Sequence, residues 1–310
     1  MNKQLILWMG ALSKNFNNFF KIVHRSFTLY KKNDPLRLAG ATAFFANFAI
    51  PPILIILIGL FGIFTDRRTF VSNLFDRLGN LLDESSTQQV IQTLKNISEI
   101  KQEWYITLIS FLFFVFVATT LFSIIKNSLD QIWNIGIDPD RGFLFRLKLR
   151  GISFIIILVV GILFLIGIVA DSFQAYIGDL MRNAPHSIGL IITSVINQLI
   201  FVTIVTTWFT ILFRYLTNGR PSWSASFVGG FVTGCLFTAG KFILRILLPL
   251  SKIENVYGAS GSIILIMLFV FYSALIFYFG GCFVKEYSIF IKKPIKPIIG
   301  THNYELKALV

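Results

Sequence analysis

Apolar residues gather in six long runs, at about 38–64, 104–125, 150–170, 188–213, 224–248 and 261–284. At about 1.5 Å per helical residue, each can cross a hydrocarbon core about 30 Å thick. Before the first run the pattern changes. Leu5, Met9, Leu12, Phe16, Phe19, Val23, Phe27 and Tyr30 recur every three or four positions, with Ser13, Lys14, Asn15, Asn18, Lys21 and Arg25 between them. That period predicts an amphipathic helix. Two placements are open for it: along the headgroups of one leaflet, or packed under the bundle. In the loop at 65–103, Phe70, Leu74, Leu78 and Leu82 predict one short helix. Ser86, as an N-cap, opens a second that carries Val90, Ile91, Leu94 and Ile97. The expected fold is all-α: a polytopic membrane protein with six transmembrane helices. Residues 1–35 form the amphipathic segment, 36–287 the membrane domain with its helical outer loop at 65–103, and 288–310 a basic tail.

Composition agrees. The chain has 310 residues, 55% of them hydrophobic and only 14% charged, with a mean hydropathy of +0.73. The net charge of +13 would suit nucleic acid, but its placement argues otherwise. Of 28 Lys and Arg residues, 19 fall before the first run, after the last, or in the second and fourth loops. That bias predicts both termini in the cytoplasm, with the basic residues facing anionic headgroups. Membrane lipids are therefore expected partners and nucleic acid is not. Cys235 and Cys282 both lie inside apolar runs and read as packing residues, not a disulfide or a metal pair. The first 20 residues lack a clear cleavage site, so no signal peptide is expected.

Within the first run stand two adjacent prolines, Pro51 and Pro52, four residues after Asn47. Proline removes a backbone donor and clashes with the preceding turn. The pair predicts a kink or break that frees carbonyls near positions 47 and 48. Freed carbonyls must face protein or a water-filled cavity, as in the broken helices of transporters. A simple packing kink is the plainer alternative.

Lys241 lies deep in the fifth run, and Arg245 follows one turn later on the same face. A lysine at a bilayer centre costs about 2.5–3.5 kcal/mol on insertion scales, so it usually faces the bundle interior and marks a site. Two cations on one face suit an anionic ligand. Both could instead snorkel to headgroups. Asn197 and Gln198 in the fourth run, and Thr119, Thr120 and Ser123 in the second, are expected to point inward. Gly230 and Gly234 have the GxxxG spacing that lets helices approach closely, within the chain or between copies in an oligomer. Ser260, in the turn before the sixth run, can cap a helix whose N-terminus favours anions.

The three histidines, His24, His186 and His302, stand far apart and make no metal or triad motif. No phosphate-binding or dinucleotide fingerprint occurs. No cofactor and no enzymatic activity are expected.

Three blocks resemble the YihY/BrkB family of bacterial inner-membrane proteins: LAGATAFFANFAIPPILIILIGLFGIF, ATTLFSIIKNSLDQIWNI and VYGASGSIILIMLFVFYSALIFYFGGCFVKEYS. The family's last span usually closes on a Gly-Ala-Glu-like triplet. Here the triplet is Gly280-Gly281-Cys282, with cysteine where an acid is expected. The resemblance implies six spans, an inner-membrane location and cytoplasmic termini. It supplies no substrate, and the family's former label, ribonuclease BN, has no chemical basis in these residues. The expected function is transport of an anionic or amphiphilic cargo (a lipid, a lipid-linked precursor or an organic solute) at a site built from Asn47, Pro51, Pro52, Asn197, Gln198, Lys241, Arg245 and Ser260. A scaffold for an envelope complex is the main alternative, and a membrane-bound hydrolase a weaker one.

Overall fold

The computed structural model describes residues 3–61, 104–138, 186–251 and 261–304, with isolated residues between them. Helix α1 is Lys3–Lys32, α2 Pro35–Phe61, α3 Trp104–Trp133, α4 His186–Tyr215, α5 Trp223–Ser251 and α6 Gly261–Phe290. Four stretches within α2, α4, α5 and α6 are long and apolar enough to span a membrane: Pro35–Ile55, Gln198–Tyr215, Trp223–Leu244 and Ile263–Phe290. The third predicted span, at 150–170, and the outer loop at 65–103 lie almost wholly outside the described residues.

Helix α6 is the hub. It packs against α1, α2, α3, α4 and α5. Helices α2 and α3 pack together, as do α4 and α5. The core follows α6: Phe213 and Phe277 stack with ring centroids 5.1 Å apart, and Tyr278, Cys282, Phe283 and Val284 are fully buried. The Tyr278 hydroxyl lies 2.6 Å from that of Thr42 on α2. Cys282 has the packing role expected of it, whereas Cys235 faces outward.

Helix α1 packs on α6 rather than standing apart from it. Phe19 meets Phe283 at 6.0 Å, and Tyr30 donates from its hydroxyl to the Leu275 carbonyl at 3.1 Å. Ile22 and Ser26 are buried, while Phe20 and Phe27 remain exposed.

Of the kink or break expected at Pro51-Pro52, the break is absent. Helix α2 runs through both prolines to Phe61. Each proline costs one backbone hydrogen bond, but unwinding would strand further amide groups where water is scarce. Packing against α3 and α6 holds the helix together on both sides of the pair.

The glycines set the closest approaches. Gly230 and Gly234 lie against Thr206 and Thr210 of α4, so their small-residue contact is made inside the chain. Gly280 faces Thr233 and Phe213, and Gly281 faces Leu129. The GGC triplet therefore sits where α3, α4, α5 and α6 converge. Three hydroxyls buried near these seams are satisfied within their own helices: Thr210 donates to Thr206 O at 2.7 Å, Thr233 to Gly229 O at 2.6 Å and Thr238 to Gly234 O at 2.8 Å, whereas the buried Thr206 hydroxyl has no hydrogen-bond partner. Thr119, Thr120 and Ser123 likewise donate to carbonyls one turn back.

Four short strands close one end of the bundle. β1 (Ile135–Ile137) pairs antiparallel with β4 (Thr301–Asn303), and β2 (Gly219–Arg220) with β3 (Lys296–Pro297). A single segment after α6 thereby ties together the end of α3 and the turn between α4 and α5.

Candidate functional site

The strand-tied end carries a buried polar site. Helix α3 does not stop with its apolar run but continues to Trp133. This extension brings Lys126 and Asp130, one turn apart on one face, into the protein, each 5% exposed. Across from them the chain leaves α4 and turns at Thr217 and Asn218. Both oxygens of Asp130 are engaged there: Oδ1 accepts the Asn218 backbone N–H at 2.9 Å, and Oδ2 accepts its side-chain Nδ2–H at 2.8 Å. Asn218 is 2% exposed, and its own Oδ1 is buried with no hydrogen-bond partner.

Neighbouring groups fix this geometry. Arg220 donates to the carbonyls of Arg214 at 3.1 Å and Thr217 at 2.9 Å, capping the end of α4 with a cation. Arg214 donates to the Pro221 carbonyl. At the end of α3, Lys285 of α6 donates to Ile132 O at 2.8 Å and Asn134 Oδ1 at 3.0 Å. Trp133 donates from its indole to Gly281 O at 2.9 Å. Asn134 ends the helix in the left-handed region at φ 58, a conformation that asparagine tolerates better than most residues. Its carbonyl accepts the Tyr304 N–H at 2.9 Å, and the Asn218 carbonyl accepts Ile298 N–H at 2.9 Å. Gly219 is needed under the strands, because a Cβ there would lie 2.7 Å from Ile295 and 2.9 Å from Trp133.

Between these elements lies a cavity of about 350 Å³, lined by Asn127, Asp130, Gln131, Ile135, Ile137, Asn218 and Tyr304. Its wall offers one carboxylate, three carboxamides and a phenol.

Burial raises the Asp130 carboxyl to about 6, against the opposing pull of the Asn218 hydrogen bonds, Lys126 and Arg220. A carboxyl whose value is higher folded than unfolded takes up a proton on folding in the window between the two, from about 6 down to 3.8. Its contribution to stability therefore increases as pH falls through that window. The expected result is that wild type gains stability relative to D130N from pH 7 to pH 5. Thermal unfolding of both in the same detergent checks this, and a wild type that loses stability relative to D130N toward acid contradicts it.

The residues expected to form an intramembrane site are placed less compactly. Asn47 and Pro51 are half-buried on α2 and Pro52 is buried there, on a helix whose main partners are α3 and α6. Gln198 is half-buried on α4, and Lys241 half-buried on α5. The Lys241 ammonium lies 4.4 Å from the centre of the Phe201 ring on α4, so it is turned into the α4–α5 seam. Asn197 and Arg245 belong to α4 and α5, but their side chains lie outside the described residues, as does Ser260. Among the described residues no group of three or more His, Cys, Asp or Glu is arranged to hold a metal ion.

Sequence reasoning counted Lys126 with a loop and gave Asp130 no role. The signal was present in KNSLDQIWN, where two opposite charges stand at helical spacing directly after an apolar run. Asn218 left no comparable signal, because its link to Asp130 spans 88 residues.

Comparison with known proteins covers most of this architecture. Residues 26–290 match the family described as virulence factor BrkB. The chain is similar to a UPF0761 membrane protein of Mannheimia succiniciproducens, at 22% identity over 263 residues, which is 81% of this chain and 84% of the relative. No solved structure matches. The matched region takes in the α3 extension, Asn218 and the GGC convergence, and on that extent this chain is a membrane protein of the BrkB family.

Proposed function

We propose that this protein transports an anionic or amphiphilic cargo across the bacterial inner membrane, with both termini in the cytoplasm and no catalytic step. The observation that carries the reading is Lys241. It sits in a membrane-length apolar helix, and its ammonium is directed onto Phe201 of the neighbouring helix. A cation kept inside the bilayer has a cost that an anionic cargo would offset. Arg245, one turn further along α5, adds a second charge to the same face. Gln198 on α4 lies within one turn of Phe201 in sequence and adds an amide to that seam. The basic distribution along the chain supports the orientation.

The test is mass spectrometry of what co-purifies with gently extracted protein. Wild type is expected to retain a defined anionic lipid or solute. Lys241→Ala, still folded, should lose it by about tenfold or more, equivalent to roughly 1.4 kcal/mol, and Lys241→Arg should keep most of it. Identical bulk lipid in all three samples would remove the reading and favour a non-transporting scaffold.

A further inference from the structure

The strand-tied cavity has a role that Lys241 does not explain. We propose that Asp130 is a proton-binding site, with the Asn218 side-chain carbonyl as the acceptor of the bound proton, and that protonation resets the contact between α3 and the α4–α5 turn. This goes beyond the transport reading and does not depend on any cargo.

The geometry carries it. Asp130 has water-sized access from the cavity it lines. As a carboxylate it accepts two N–H groups from Asn218, one on each oxygen. Protonation makes one oxygen a hydroxyl, and a proton on the Oδ2 lone pair that receives Asn218 Nδ2–H displaces that bond. The new O–H then needs an acceptor. Asn218 Oδ1, buried and without a partner, belongs to the same carboxamide that already touches Oδ2, and a rotation of that amide presents it. The proton comes from water in the cavity, and only the O–H bond is made.

The charges acting on Asp130 are those of Lys126, on its own helix, and Arg220, on β2. Both favour the carboxylate. Burial opposes them, which places the exchange near pH 6. Tyr304 of the tail lines the same cavity, and the tail's His302 is occupied with Asp138 at 2.9 Å. From α6, Lys285 is directed at the end of α3, to Ile132 O and Asn134 Oδ1.

The contact that shifts is a bridge between two halves. Asp130 rides on α3, which packs with α2, whereas Asn218 follows α4, which packs with α5. A proton at this point thus acts on the relation between the α2–α3 pair and the α4–α5 pair.

The experiment uses the full chain in lipid vesicles. Infrared difference spectra across pH follow the carbonyl stretch of a protonated carboxyl. A band with a midpoint near pH 6 is expected in wild type and not in D130N. A band that persists unchanged in D130N overturns the assignment. If D130N fails to fold, Lys126→Met decides. It keeps Asp130 but removes a cation that favours the charged form, so the midpoint should rise by about half to one pH unit. An unmoved midpoint overturns the proposal. Spin labels at Asn127 and Ser224, in a Cys235→Ser background, read the bridge. Their separation should change with the same midpoint, and a separation constant across pH overturns the coupling.

Discussion

Asp130→Ala is expected to destabilise the protein by about 3–5 kcal/mol, the range for breaking a buried charge arrangement from one side. The cost has identifiable parts. Lys126, 5% exposed, would lose its opposite charge one turn away. Asn218 would keep two buried donors, its backbone N–H and Nδ2–H, with no carboxylate to receive them. Unmade hydrogen bonds of this kind cost about 1–3 kcal/mol each. D130N, which keeps the shape and one carbonyl acceptor, should cost much less. Thermal unfolding in detergent, with Lys126→Met and the double variant completing a cycle, measures the coupling. If D130A unfolds within about 0.5 kcal/mol of wild type, the figure for surface substitutions, the buried site is not a stabilising node.

The second large effect concerns the α4–α5 seam. A Cβ on Gly230 would meet the Thr210 hydroxyl and stand 2.8 Å from Thr210 N and 2.9 Å from Thr206 O. Backbone atoms cannot step aside as a side chain can. The two helices must separate, and overpacking of this kind costs about 1–3 kcal/mol, or more. Gly230→Val is expected at the upper end and Gly230→Ala at the lower. Gly234 is a built-in control: its Cβ would lie 3.0 Å from Thr206 Oγ1 and 3.4 Å from the nearest backbone atom. Gly234→Ala should therefore be milder than Gly230→Ala. Unfolding measurements test the order. A change in oligomeric size without loss of stability would instead place Gly230 between copies.

These two predictions mark the limits of what the sequence disclosed. The GxxxG spacing of Gly230 and Gly234 was visible because small residues four apart mean one thing in a membrane helix: close approach. The apolar runs located α2, α4, α5 and α6 for a similar reason, since hydropathy reports which residues avoid water. Hydropathy does not report where a helix ends. The second run stopped at 125, but α3 keeps turning to Trp133, and Lys126 and Asp130 lie on that polar continuation. At Pro51-Pro52 local rules for proline predicted a kink or a break, and of the two the break is absent: packed on α3 and α6, the helix runs through the pair. Strands of two or three residues fall below any periodic pattern, so Lys296–Pro297 and Thr301–Asn303 read as an irregular basic tail. Of the proposed intramembrane site, Lys241 was legible because charge is costly there. Its direction, onto Phe201, needed three dimensions.

The two small ladders also impose an order of assembly. Ile135 pairs with Asn303, and Gly219 with Pro297, so both loops are made long before their partners. Residues 296–303 follow α6 in the chain, and pairing at this sequence separation is entropically late. During synthesis the backbone groups of β1 and β2 stay unmatched until α6 has been inserted. A chain truncated after Phe290 would hold helices of full length whose strand-tied end is still open, and protease sensitivity near Ile135 and Gly219 should vanish only when residues 296–303 are present.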